Sequence, residues 1–272
     1  MRVFRSALVI ASVMVVVGCR ETEVSSQGEG GRALPPPGRP VVGEKPPMPV
    51  QRSVEDPEGY RVETVATGLE TPWDMVFTPD GRIYVTERPG RVRLIYNDEL
   101  RARPYATIQG VRAAGEGGLM GIALHPDYPN PRRVYVMYTY SAGGRAWNRV
   151  SRFTDTGSGL AEEQPVVIRI PGAAIHDGGA LGFGPDGLLY IGTGDAGSPE
   201  SSQDRASLAG KILRVTPEGG VPEDNPFEGS PVYAYGFRNV QGLAWNPENG
   251  DLWATDHGPT GEFGLQAKDS VF

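Results

Sequence analysis

Met75-Val76-Phe77-Thr78-Pro79-Asp80-Gly81-Arg82-Ile83-Tyr84-Val85-Thr86 carries the architecture of this chain in miniature. A short apolar run meets a Pro-Asp-Gly turn and continues into a run rich in β-branched and aromatic residues. Proline pre-sets φ for the turn and glycine takes the positive φ that closes it, so the stretch predicts a β-hairpin. The pattern recurs three times. Gly121 to His125, Pro126-Asp127 and Arg133-Val134-Tyr135-Val136 form the second copy. Leu181 to Gly184, Pro185-Asp186-Gly187 and Leu188-Leu189-Tyr190-Ile191 form the third. Leu243-Ala244-Trp245-Asn246-Pro247-Glu248-Asn249-Gly250 with Asp251-Leu252-Trp253-Ala254 is the fourth. The turn prolines fall at 79, 126, 185 and 247, intervals of 47, 59 and 62 residues. Hairpins at that period predict an all-β propeller, whose blades bury their faces only against their neighbours. A β-sandwich does not require near-equivalent hairpins at such spacing. The ordered portion, from about residue 60 onward, has room for roughly four blades of this size.

Composition agrees. Glycine (38) and proline (25) are abundant while 39% of the chain is hydrophobic, which reads as a turn-rich all-β protein. The net charge of −7 argues against a nucleic-acid partner, which needs a basic face. Arg2 and Arg5 precede the apolar run Ala7 to Val17, and Gly18-Cys19 follows. The run is too short to span a bilayer and is laid out as a secretory signal. Cys19 is the chain's only cysteine, so it has no internal disulfide partner. Residues 1–19 are therefore read as a lipoprotein signal peptide with Cys19 as the lipidated residue, and a plain signal peptide is the alternative. Residues 20–59, with Pro-Pro-Pro and Lys-Pro-Pro, read as a disordered tether. The propeller domain is assigned to 60–272. The expectation is an exported protein anchored by lipid alone, facing the periplasm or cell exterior.

Four glycine-rich polar stretches follow one another at strand edges, where a β scaffold presents functional side chains. They are Ile175-His176-Asp177-Gly178-Gly179, Gly192-Thr193-Gly194-Asp195-Ala196-Gly197, Gly236-Phe237-Arg238-Asn239-Val240-Gln241-Gly242 and Asp256-His257-Gly258-Pro259. Histidine suits proton transfer near neutral pH and a carboxylate can orient it, which makes His176 with Asp195 a candidate base and partner. A guanidinium such as that of Arg238 can bind oxygens that gain charge. Each residue alone could equally be a turn or ion-pair residue.

In their order, these stretches resemble the soluble quinoprotein sugar dehydrogenases, the glucose/sorbosone dehydrogenase family. Gly68-Leu69-Glu70-Thr71-Pro72-Trp73, Thr86-Glu87-Arg88-Pro89-Gly90, Gly117-Gly118-Leu119-Met120-Gly121, Leu208 to Arg214 and Asp224-Asn225-Pro226-Phe227 extend the likeness over most of residues 60–272. The resemblance implies the six-bladed quinoprotein glucose dehydrogenase propeller, so about four blades would be an incomplete ring, shortened at the C-terminus. It also implies pyrroloquinoline quinone (PQQ) and Ca2+ as cofactors, and oxidation of aldoses at the anomeric carbon to lactones, with electrons passed to an external acceptor. His176 would be the base, Asp195 its partner, and Arg238 and Asn239 cofactor contacts, Arg238 also acting in catalysis. Gly258 and Pro259 would offer backbone carbonyls to calcium, which accepts such ligands. Glu116 stands where the family has a cofactor-contacting glutamine; a carboxylate there repels an anionic cofactor unless it is protonated or paired. His125 is read as a surface turn residue, and His257 is given no role. The other readings kept open are a calcium-dependent lactonase-type propeller hydrolase and a non-catalytic propeller that binds a carbohydrate or protein.

Overall fold

The computed structural model describes residues 63–259 and 269–272. The segment 1–19 with Cys19 and the tether 20–59 lie outside the described residues. What is described is all-β apart from one 3-10 turn at Pro199–Ser202.

Among the described residues, sixteen strands fall into four antiparallel sheets in chain order, the blades of a propeller. Blade one is β1 (Pro72–Phe77), β2 (Ile83–Glu87), β3 (Arg91–Tyr96) and β4 (Glu99–Leu100), with β5 (Ala106–Thr107) also paired to β3. Blade two is β6 (Leu119–Leu124), β7 (Arg133–Ala142), β8 (Arg145–Asp155) and β9 (Leu160–Pro171). Blade three is β10 (Leu181–Phe183), β11 (Leu189–Gly192), β12 (Lys211–Val215) and β13 (Val232–Tyr235). Blade four is β14 (Val240–Trp245), β15 (Leu252–Asp256) and β16 (Ser270–Val271). The four predicted hairpins are β1–β2, β6–β7, β10–β11 and β14–β15. Their turns close as expected. Gly81 N donates to Thr78 O (3.0 Å), Gly187 N to Gly184 O (2.9 Å) and Gly250 N to Asn246 O (2.8 Å), with φ of 83°, 74° and 77° at the three glycines.

Strand alternation shows why each blade needs two neighbours. Along β7, Val134, Val136 and Tyr138 pack with Tyr84 and Val92 of blade one, while Tyr135 and Met137 pack with Leu189, Ile191 and Leu213 of blade three. In blade three, Tyr190 and Ile212 turn the other way and join Val240 and Ala254 of blade four. Period-two alternation thus puts two apolar faces on one sheet, each covered by the next blade. Polar bonds fix the blades' relative height. Thr86 donates to Met120 O (2.6 Å), and Asp74 accepts from Ile122 N (2.9 Å), both across the first blade junction.

Two polar groups lie deep in this frame. Asp155, at the end of β8, is the acceptor for the hydroxyls of Tyr105 and Tyr128 and of Tyr84 (3.0 Å), for Gly157 N (2.8 Å), and has Arg132 and Arg82 at 3.4 and 3.5 Å. Burial alone would raise its pKa, but these donors outweigh it and hold the carboxyl at about 2. Lys211, fully buried, donates its Nζ to Ser201 O (2.8 Å), Ser202 O (3.0 Å) and Ala209 O, and burial pushes its ammonium down to about 8.

Candidate active site

In an antiparallel hairpin the start of the first strand and the end of the second lie at one edge. That edge collects the conspicuous residues of all four blades. Trp73 stands near the start of β1, Arg88 follows the end of β2, and Glu116 precedes β6. His176 and Asp195 flank β10–β11, while Arg238, Asn239 and His257 flank β14–β15. Residues up to 170 positions apart in sequence therefore face one cleft of about 170 Å³, lined by Thr71, Trp73, Arg88, Glu116, Asp177, Gly178 and Gln241.

At the side of this cleft, His176 Nδ1 lies 2.7 Å from Asp195 Oδ1, which also accepts from Gly197 N (2.8 Å). A carboxylate needs a donor, so in the neutral imidazole Nδ1 carries the proton and Nε2 keeps its lone pair. Nε2 has no hydrogen-bond partner among the described residues, and the side chain keeps 10% exposure. The backbone here is pressed flat. His176 sits at φ 58°, and a Cβ built on Gly194 would lie 1.8 Å from His176 O. Only glycine permits that approach, which explains the Gly-Thr-Gly-Asp stretch physically.

Glu116 lines the cleft and is also tied to the histidine loop. Its Oε2 accepts from His176 N (2.7 Å), so it seats the histidine across the junction of blades two and three. Asp195 N donates to Arg238 O (2.8 Å), and Gly178 N donates to Asn239 Oδ1 (2.8 Å), which brings blade four against the same histidine loop. Arg238 is clamped rather than loose: its guanidinium donates to His257 Nδ1 (2.8 Å) and His257 O (3.1 Å). Asp256 accepts from the backbone N–H of both Arg238 (3.1 Å) and Asn239 (2.7 Å). His257 is thus part of the arrangement, and its position right after β15, beside Asp256, was the available signal. His125 also departs from expectation. Its side chain is 13% exposed, with its ring 5.8 Å from that of Phe183, because the β6–β7 turn folds back onto blade three. Gly258 N donates to Asp269 Oδ1 (3.0 Å). No set of three or more His, Cys, Asp or Glu side chains placed for a metal occurs among the described residues, so a cation at Gly258 and Pro259 would rely on backbone oxygens.

The second acid of the cleft is Asp177. It is 2% exposed; Oδ1 accepts from Asn148 Nδ2 (2.9 Å) and Ala173 N (3.1 Å), but Oδ2 has no partner. Burial raises its pKa. A raised folded-state pKa favours folding below the unfolded value and opposes it as pH rises through the folded one. Asp177→Asn keeps the shape and removes the buried charge. Its melting temperature is expected to equal or exceed the parent's at pH 7.5, with the difference closing by pH 4. A variant that melts lower at pH 7.5 and not at pH 4 would show that the ionised form is stabilised.

The family model for glucose/sorbosone dehydrogenases matches residues 69–268. The chain belongs to that family. It is 33% identical over 216 residues to the aldose sugar dehydrogenase YliI of Escherichia coli K12, covering 75% of this chain and 58% of that protein. Quinoprotein glucose dehydrogenase B of Acinetobacter calcoaceticus is 29% identical over 250 residues, 80% of this chain and 52% of its own. The PQQ-bound structure of the Streptomyces coelicolor aldose sugar dehydrogenase superposes with a TM-score of 0.68 at 43% identity, over 73% of this chain and 60% of that one. The four-bladed arrangement found here follows those propellers. The chain spans a little over half the length of these curated relatives.

Proposed function

We propose that this chain serves the oxidation of aldose sugars at the anomeric carbon to lactones, with PQQ and calcium as cofactors and an external electron acceptor. The observation that carries the reading is the His176–Asp195 pair at 2.7 Å beside the cleft, with Nε2 left unbonded. In this reaction the anomeric hydroxyl loses its proton and the carbon loses a hydride. Nε2 of His176 takes the proton, and Asp195 stabilises the imidazolium that results. PQQ, when bound, supplies the two-electron acceptor.

The side chains present fit an anionic, oxygen-rich group. Arg88 and Gln241 line the cleft, and Arg238 is held in place by His257. Of the two acids there, Glu116 spends one oxygen on His176 N–H, and burial pushes Asp177 toward its neutral form. Arg238 and Asn239 would hold the cofactor, with Arg238 stabilising the charge it gains, and the carbonyls of Gly258 and Pro259 would meet calcium. Family membership supports an oxidoreductase over a lactonase-type hydrolase or a purely binding propeller.

The test is dye-linked oxidation of a panel of aldoses by the purified chain with PQQ and calcium, each omitted in turn. Turnover that requires both is expected; oxidation without PQQ, or none with it while a full-length relative is active, would overturn the reading. We also place the protein outside the cytoplasm on a lipid anchor at Cys19. Incorporation of labelled palmitate that is lost in Cys19→Ser is the expected result, and labelling that survives this change would refute it.

A further inference from the structure

Strands β7 and β8 do not stop where blade two ends. β6 begins at Leu119, opposite Tyr138, yet β7 runs on to Ala142 before the Gly143-Gly144 turn. Four further residues at about 3.3 Å each carry the hairpin roughly 13 Å past the site edge. On one face of this overhang lies a cleft of about 310 Å³, lined by Tyr140, Ala142, Gly143, Arg145, Trp147 and Arg169. That volume is at the lower end of small-ligand pockets.

Its chemistry is specific. Tyr140 and Trp147 are direct cross-strand partners, so both rings stand on one face. The Arg145 guanidinium stacks 5.5 Å from the Trp147 ring centroid. Stacking uses the face of a guanidinium and leaves its in-plane N–H groups free to donate. Arg149, on the same face, is already taken by Glu163 at 3.2 Å. By contrast, no carboxylate lies within ion-pair distance of Arg145 or Arg169 among the described residues. Two unpaired arginines on one small cleft run against a chain of net charge −7. Arg169 is also placed there at a cost. The β8–β9 register slips between Asn148 and Val150, so Ile168 and Arg169 together oppose the single Arg149, and Arg169 sits at φ 58°. Bulges of this kind re-aim a side chain, and a non-glycine residue in that conformation points to function.

We infer that this overhanging cleft binds a carboxylate-bearing saccharide, such as a uronate unit of an acidic oligosaccharide, with Tyr140 and Trp147 meeting the sugar's apolar face and Arg145 and Arg169 its carboxylates. Aromatic rings match the C–H face of a pyranose, and the guanidinium fork matches a carboxylate. This inference does not depend on the oxidation chemistry proposed above, since none of its residues belongs to the His176 cleft.

The experiment titrates the full chain with trigalacturonate and with neutral maltotriose by calorimetry, without PQQ. Saturable binding of trigalacturonate is expected, at least about tenfold tighter than maltotriose, and weakening as salt rises from 50 to 300 mM. Trp147→Ala and the double change Arg145→Gln/Arg169→Gln should each weaken it by about tenfold or more. His176→Ala should leave it unchanged. The arginine pair is surface-exposed, so that variant decides the matter even if Trp147→Ala folds poorly. Absence of saturable binding, equal affinity for the neutral sugar, or indifference to the arginine pair would each overturn the inference. Capture by phosphatidylglycerol vesicles that trigalacturonate does not displace would overturn it too, in favour of a lipid surface.

Discussion

His176→Ala is expected to lower kcat for aldose oxidation by about 10²- to 10⁴-fold, the usual worth of a positioned general base. KM should move little, because the lost imidazole acts on the proton in flight rather than on the resting sugar. The substitution leaves the cradle intact. Gly194 still underlies residue 176, and Glu116 still accepts from its backbone N–H. Asp195→Asn offers a finer test. An amide at 2.7 Å can present its N–H to Nδ1, which would favour the tautomer with the proton on Nε2 and so remove the base. A fall in kcat of the same direction is expected, with a modest drop in melting temperature, because the amide nitrogen cannot accept from Gly197 N–H. Turnover in His176→Ala within a few-fold of the parent, in a reconstituted protein that needs PQQ, would remove His176 from the chemistry.

Asp155→Ala should have the largest effect on stability. It strips the acceptor from three tyrosine hydroxyls and leaves Arg82 and Arg132 facing them. Breaking a buried charged network of this kind costs about 3–5 kcal/mol, which would appear as a lower urea midpoint at unchanged slope. Catalysis per folded molecule should survive, because the cluster lies at the turn edge of blades one and two, away from His176. The pH dependence has a definite sign. The carboxyl is held at about 2 in the fold, against roughly 3.9 in an unfolded chain. Its contribution is therefore present above about pH 4 and drains away between pH 4 and 2, amounting to roughly 2 kcal/mol. Asp74, Asp177 and Asp256 have raised pKa values and act in the opposite sense. The difference between parent and variant isolates Asp155. A gap that stays constant from pH 6 to pH 2.5 would show that the residue is not acting as an anion.

Much of the fold was legible because its information is local. A Pro-Asp-Gly turn between two apolar runs needs no distant partner to be recognised, and all four hairpins stand where those turns placed them. His176 and Asp195 were legible for a related reason, since they flank one such hairpin and so had to meet at its open edge. What escaped was everything decided between blades. Glu116 reaches His176 from 60 residues away, and Tyr84, Tyr105, Tyr128 and Asp155 converge over a span of 71. No turn or period marks such meetings, because they depend on how one sheet stacks on the next. Arg169 escaped for a subtler reason. A bulge in β9 shifts the strand count by one, and simple alternation then assigns the wrong face.

Lys211 gives the protein a built-in chemical clock. The chain has only three lysines, Lys45, Lys211 and Lys268, and the amine of Lys211 is sealed behind three carbonyls beneath the 3-10 turn. At mildly alkaline pH an amine held at about 8 is largely uncharged and would be a ready nucleophile if a reagent could reach it. Its rate of acylation, followed by peptide mass, therefore counts how often the cover over that amine opens.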